Sequence, residues 1–196
     1  KKVLFVEGEI DLIAISKAAE LLGTPIVNNF VPWISATGHK ERKNLFLELR
    51  KEIPDLKGIS LRDRDDESIE SVDVELDDKV HSDPGEFLKL LKWKRRNIES
   101  YLIFPDLIAQ LANVSIQEVK DHLTNEFGIA IPKNFTDHSI PDALLRIDGK
   151  NLLKENSKSI SNKFKVTRHQ IIEALTRDKV SDDLVKMVEK INEQFE

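Results

Sequence analysis

The sequence contains no cysteine, which excludes disulfides and thiolate metal sites and fits a reducing, cytoplasmic setting. Its five histidines, His39, His81, His122, His138 and His169, show no pair at the three-to-five-residue spacing of a zinc site. No apolar run approaches the ~18 residues of a membrane span and no signal-like segment opens the chain, so a soluble, intracellular protein without a membrane partner is expected. An excess of positive charge is also missing. The 35 acidic and 30 basic side chains give a net charge of -5, so nothing global marks a nucleic-acid binder and local arrangement must decide. An initiating methionine is absent as well, since Lys1-Lys2 lead directly into an apolar strand, as expected of a piece excised from a longer protein.

What remains is a chain of 196 residues, 40% hydrophobic, enough for one sizeable core with a helical appendage. Val3-Leu4-Phe5-Val6 is an uninterrupted apolar run, the pattern of a strand buried on both faces of a parallel sheet. Apolar residues then recur at helical spacing from Ile10 to Leu22, with Gly23 as a stop signal. A second strand is expected within Pro25 to Ile34 (Ile26, Val27, Phe30, Val31), a helix from Lys40 to Ile53, and a third strand over 57–62. This β-α-β-α-β order implies a parallel sheet between helices. Residues 66–83 read as loop with a short strand or helix, and Phe87 to Trp93 as a further strand. Residues 105–127 read as helical, with Ser115 capping the stretch from Ile116 to Phe127 and Gly128 ending it. Residues 129–147 are polar and Pro-rich. The tail reads as three helices, Lys150 to Lys163, Thr167 to Thr176 and Ser181 to Phe195.

In an open parallel sheet, functional groups collect beyond the carboxyl ends of the strands. The first strand delivers Glu7 there, and Asp11, four residues on, falls in the first turn of the following helix, near the positive end of its dipole. The third strand delivers Asp63 and Asp65, which point the same way if the chain stays extended. So many carboxylates in one crevice oppose each other's ionisation unless a cation intervenes. Oxygen ligands without histidine or cysteine favour Mg²⁺ or Mn²⁺, and two such ions suit phosphodiester cleavage or transfer. The alternative for these residues is helix capping or solvation, which is the reading preferred for Asp66 and Glu67.

Residues 89–96, Lys-Leu-Leu-Lys-Trp-Lys-Arg-Arg, reverse the local sign. Lys94, Arg95 and Arg96 are candidates for holding a nucleic acid across the acidic site. The alternative is a solvated strand edge with Trp93 in the core.

Three segments together carry a resemblance: Val6-Glu7-Gly8-Glu9-x-Asp11, Leu61-Arg62-Asp63-Arg64-Asp65-Asp66 and Arg96-x-Ile98-Glu99-x-Tyr101-Leu102. The chain resembles the Toprim domain of the OLD (overcoming lysogenization defect) nucleases, and Asp148-Gly149-Lys150-x-Leu152-Leu153 followed by small helices resembles that family's ending. The resemblance implies an α/β Toprim fold, a Rossmann-like parallel sheet between helices, with a helical insertion and a helical C-terminal tail. It divides the chain into a catalytic core over 1–104, an insertion over 105–128 and the rest of the core with the C-terminal helices over 129–196. The implied activity is Mg²⁺- or Mn²⁺-dependent cleavage of DNA, through two ions, in a module carried behind an ABC-type ATPase domain of the same chain or a separate subunit and associated with phage defence. Glu7, Asp11, Asp63 and Asp65 would be metal ligands, with Glu7 also a general base. Glu99 would complete the second metal position, or else form a buried salt bridge to Arg95 or Arg96. Lys150 would stabilise charge on the pentavalent phosphate, its alternative being a plain helix-start lysine. Asn97 and Ser100 stand where the family pattern leads one to expect Glu and Asn.

A Toprim fold also serves topoisomerases, primases and a ribonuclease. Tyr101, the sole tyrosine, lies in an apolar context that suits packing better than attack on DNA, whereas RNA as substrate stays open. A haloacid-dehalogenase-like phosphatase would place its Asp-x-Asp after the first strand, and a receiver domain would not double Asp63 with Asp65. A non-catalytic Toprim used for docking or for forming a homodimer is the reading without an enzyme.

Overall fold

Strands β1 (Lys2–Val6), β2 (Val31–Ile34), β3 (Lys57–Arg62) and β4 (Leu88–Lys92) form one sheet in the order β2-β1-β3-β4, with every neighbouring pair parallel. The computed structural model describes residues 1–26 and 30–196. Helices α1 (Glu9–Leu22) and α2 (His39–Glu52) supply the crossovers that parallel pairing requires. The side-chain alternation of β1 separates two cores. Leu4 and Val6, with Ile59, Leu61 and Leu91, pack on the face that carries α1, while Val3, Phe5, Leu88 and Leu90 pack against Phe46 of α2. Gly58 is required on the α2 face, because a Cβ there would lie 2.6 Å from the Phe46 ring and 2.9 Å from Leu88. The α/β class, with a parallel sheet between helices, is therefore the one the sequence implies.

The chain returns to this core at its end. Helices α3 (Pro105–Ala112), α4 (Ile116–Phe127), α5 (Asp142–Leu145), α6 (Ile160–Phe164) and α7 (Arg168–Glu173) lead to α8 (Asp182–Phe195), whose Leu184, Met187, Val188, Ile191 and Phe195 join the core on the α1 side. A five-residue π-helical turn, Asn151–Glu155, follows Lys150. Among the described residues, no helix is long and apolar enough to cross a membrane.

Two expected elements differ. The second strand is short and starts only at Val31, where pairing with Val3 begins; Ile26 is buried ahead of it, and Val27 lies outside the described residues. The helix expected over 150–163 divides into the π turn and α6, because Ser159 caps a new helix by accepting from the Asn162 N–H (3.3 Å).

Candidate metal centre

Parallel pairing sets the carboxyl ends of β1 and β3 side by side, Phe5 opposite Ser60, so the residues that follow both strands emerge at one edge of the sheet. Glu7 and Asp63 are those residues, and the Asp63 N–H donates to Glu7 Oε1 (3.1 Å). At Gly8 the chain turns into α1, and the Gly8 N–H donates to Asp11 Oδ2 (3.1 Å), which fixes the first turn. The other oxygen, Asp11 Oδ1, accepts from Trp93 Nε1 (2.9 Å), so the tryptophan expected in the core also orients an acid at the site. Burial pushes the Asp11 carboxyl up to about 6; the Trp93 and Gly8 hydrogen bonds oppose this, and the charges of Glu99 and Glu7 add to it.

Asp63 is 1% exposed. Its Oδ2 accepts from Lys150 Nζ, and its Oδ1 has no hydrogen-bond partner. Burial and then the neighbouring Asp11 charge drive this carboxyl well above its ordinary value, against the pull of Lys150. Lys150 responds in the opposite sense to its own burial: the Asp63 carboxylate raises its ammonium above the ordinary lysine value, so it stays charged. Glu99 comes from the 3₁₀ turn Ile98–Tyr101 and is equally buried, with Oε1 paired to Arg168 Nη1 and Oε2 without a partner. The salt bridge considered for Glu99 thus exists, with Arg168 in place of Arg95 or Arg96.

These groups share one cleft of about 360 Å³, lined among others by Glu7, Asp11, Asp63, Glu99, Lys150 and Arg168. Lys150 reaches it through a backbone-on-backbone contact. A Cβ on Gly149 would lie 2.2 Å from the Ser100 nitrogen and 2.3 Å from the Glu99 carbonyl carbon, so only glycine allows the 149 segment to sit on the 97–100 turn. Asn97 and Ser100, the departures from the family pattern, brace that contact. Asn97 Nδ2 donates to Asp148 Oδ1 (3.1 Å), and Ser100 Oγ accepts from the Gly149 N–H (3.2 Å).

Four expected site residues do not gather here. Asp65 is not among the residues that line the cleft: β3 ends at Arg62 and Asp65 has a left-handed φ of 52°, so the chain is not extended through 63–65 as the expectation of a shared side requires. Arg95 is a core group, 1% exposed, donating to the Ser100 and Phe135 carbonyls and lying over the Tyr101 and Phe135 rings. Lys94 donates to the carbonyls of Ile69 and Val72, and Arg96 pairs with Asp66 (2.9 Å) and Asp148 (3.4 Å). The expectation that Arg95 faces a nucleic acid is corrected, because it is buried between core rings, whereas Lys94 and Arg96 are half-buried with partners inside the chain. Tyr101 is buried, donating to Asp183 Oδ2 (2.6 Å) and accepting from the Arg95 N–H (3.0 Å), which agrees with a packing role. Arg168 and Trp93 are the cleft-forming groups missed as such. Thr167 and Gln170 signal a helix start beside Arg168, but nothing local ties that start to Glu99, 69 residues away.

The donor set fits a hard divalent cation in kind: oxygen ligands, and two buried carboxylate oxygens, Asp63 Oδ1 and Glu99 Oε2, that lack a partner. Among the described residues no group of three acids or histidines is assembled closely enough to hold an ion by itself.

No protein-family model and no curated protein matches this chain. Two solved structures follow its course. The C-terminal region of the OLD protein of Burkholderia pseudomallei is 12% identical with a TM-score of 0.44, over 98% of this chain and 96% of that one. The C-terminal region of the Xanthomonas campestris pv. campestris OLD protein is 16% identical with a TM-score of 0.44, over 98% and 94%. Over nearly its whole length the chain is similar to C-terminal regions of OLD proteins, the family that its motifs resemble.

Proposed function

We propose that this chain is a divalent-metal-dependent endonuclease module that cleaves phosphodiester bonds of DNA. One observation carries the reading: carboxylates from two parallel strand ends and from the 98–101 turn converge in a single cleft beside a fixed lysine, and two of their buried oxygens are left without a partner. A bound Mg²⁺ or Mn²⁺ would polarise the phosphate and lower the pKa of a water.

The residues present divide the remaining work. Asp63 and Glu7 would hold the first ion and Glu99 a second. Asp11, with both oxygens engaged by Gly8 and Trp93, fixes the Glu7–Gly8 turn and lends its charge to the site. Glu7 Oε1 is held by the Asp63 N–H, which leaves Oε2 as the atom to take a proton from the attacking water. Lys150, charged and anchored by the Gly149 contact, is placed to stabilise negative charge developing on the phosphate. By the same resemblance, the proposal includes DNA as partner, an ABC-type ATPase domain in the same chain or a separate subunit, a cytoplasmic setting and a role in phage defence or DNA processing.

Nicking of supercoiled plasmid tests it, with Mg²⁺, Mn²⁺ or chelator and with Asp63→Ala beside the wild type. Metal-dependent nicking that the variant loses is the expected result. If neither protein cuts plasmid while the wild type cuts RNA, the substrate class changes. If neither cuts either nucleic acid in the presence of the ATPase, the catalytic reading fails and docking or dimerisation remains.

A further inference from the structure

Glu99 and Asp63 are held alike: each has one oxygen on a cation from the last third of the chain, Arg168 or Lys150, and one oxygen with no partner. Lys150 has a role above, and Arg168 has none. Its side chain lines the cleft at 20% exposure, and Glu99 is its one acidic partner among the described residues. Five acidic side chains of the cleft lining (Glu7, Glu9, Asp11, Asp63, Glu99) face the cations Lys150 and Arg168, and their mutual repulsion adds to burial in raising Asp11 and Asp63. Such a surface repels a phosphodiester strand until cations enter. A divalent ion at the free Oε2 of Glu99 draws on the same carboxylate charge that holds Arg168 at Oε1, and so weakens the hold on a guanidinium that is itself partly exposed. A guanidinium displaced from a carboxylate carries the planar fork that also matches phosphate oxygens.

Resting on the metal-nuclease reading above, we propose that Arg168 is a phosphate-binding residue held in reserve by Glu99: a divalent cation entering at Glu99 frees the guanidinium, which then takes a backbone phosphate of the bound strand. The ion pair is thus a latch that couples metal entry to substrate entry. In the metal-free chain it also keeps a buried carboxylate compensated, which a surface arginine would not do.

Two measurements test it: Mn²⁺ binding followed by electron paramagnetic resonance, and binding of a fluorescein-labelled DNA duplex followed by anisotropy with Ca²⁺ present. Arg168→Gln is expected to bind Mn²⁺ more tightly in the absence of DNA, because the competitor for Glu99 is gone. The same variant should bind duplex about tenfold more weakly with metal, the equivalent of ~1.4 kcal/mol, and its salt slope should fall by about one. Arg168→Lys should recover part of the duplex binding. Opposite signs for metal and DNA distinguish the latch from a structural role, which would weaken both, and weakening of both overturns the proposal. Glu99→Gln gives an arm that does not depend on the folding of Arg168→Gln. It frees Arg168 without metal and should raise duplex affinity in chelator; no rise overturns the proposal. A wild type that binds no Mn²⁺ sinks the metal reading and the latch with it. Mn²⁺ binding that Asp63→Ala loses while Arg168→Gln changes neither ligand sinks the latch alone.

Discussion

Within Asp63-Arg64-Asp65-Asp66-Glu67 the side chains have different partners. Asp63 enters the cleft under Lys150, Asp65 takes a positive φ, Asp66 pairs with Arg96, and Glu67 pairs with Lys92 (2.6 Å) and Arg62 (3.1 Å). Arg64 is buried among them, donating to the Lys94 (3.0 Å) and Leu145 (2.7 Å) carbonyls and so clamping the turn from inside. A one-dimensional run of acids therefore holds one cleft residue, Asp63, and two fasteners, Asp66 and Glu67, a distinction that the sequence alone does not make. Lys150→Met tests the energetic side of the Lys150–Asp63 pair. Removing one partner of a fully buried pair costs ~3–5 kcal/mol. Lys150 is a third exposed and Asp63 is able to take up a proton, so a loss of about 2 kcal/mol is expected in urea denaturation with chelator present. An unchanged or higher stability would mean that Asp63 needs no counter-ion.

Elements were readable wherever a local signal suffices. β3 occupies the expected 57–62, and α4 begins at the Ser115 cap, which accepts from the Glu118 N–H (3.1 Å), and stops at Gly128 with a φ of 66°. Glu7, Asp11, Asp63, Glu99 and Lys150 were readable as one site because each follows a strand end or belongs to a motif. Arg168 was not, since its place depends on how α7 packs, and Arg95 was misjudged because charge alone does not reveal that a guanidinium lies between two rings. Where α2 meets the sheet, a polar cluster likewise escaped notice. His39, 1% exposed, hydrogen-bonds Ser60 through Nδ1 (2.8 Å), and its Nε2 lies 3.4 Å from Asp78, which also meets His81 (2.8 Å) and Lys92 (3.0 Å). Burial lowers the His39 imidazole to about 3, a shift that Asp78 opposes and that Arg62, Arg42 and His81 reinforce. The unfolded chain, with histidine near 6.5, then binds the extra proton between these values, so the His39 contribution to stability is full above about pH 6.5 and is lost as pH falls toward 3, while the raised Asp11 carboxyl acts in the opposite sense as pH falls through about 6. The difference between wild type and His39→Gln isolates this limb, and its loss should amount to at most about 5 kcal/mol across the window in denaturant unfolding. Parallel curves for the two proteins would assign the limb to other groups.

The larger of the two cores takes in both ends of the chain, since α8 packs on β3 and α1. A ligand of the cleft should therefore stabilise the entire fold. Mn²⁺ at about a hundred times its dissociation constant should add ~2.7 kcal/mol, a rise of about 5–10 °C in Tm for a chain of this length. Asp63→Ala should show no such rise in calorimetry, and an equal rise in both proteins would place the ion elsewhere. The contact at Gly149 has a consequence in time as well as in space. The carboxylates of residues 7 to 99 leave the ribosome before residues 149, 150 and 168 do, and until Gly149 arrives the 97–100 turn has only its α1 side covered. The cleft is accordingly finished late in synthesis, and a nascent chain bearing only its acids lacks both the lysine and the arginine that complete the site.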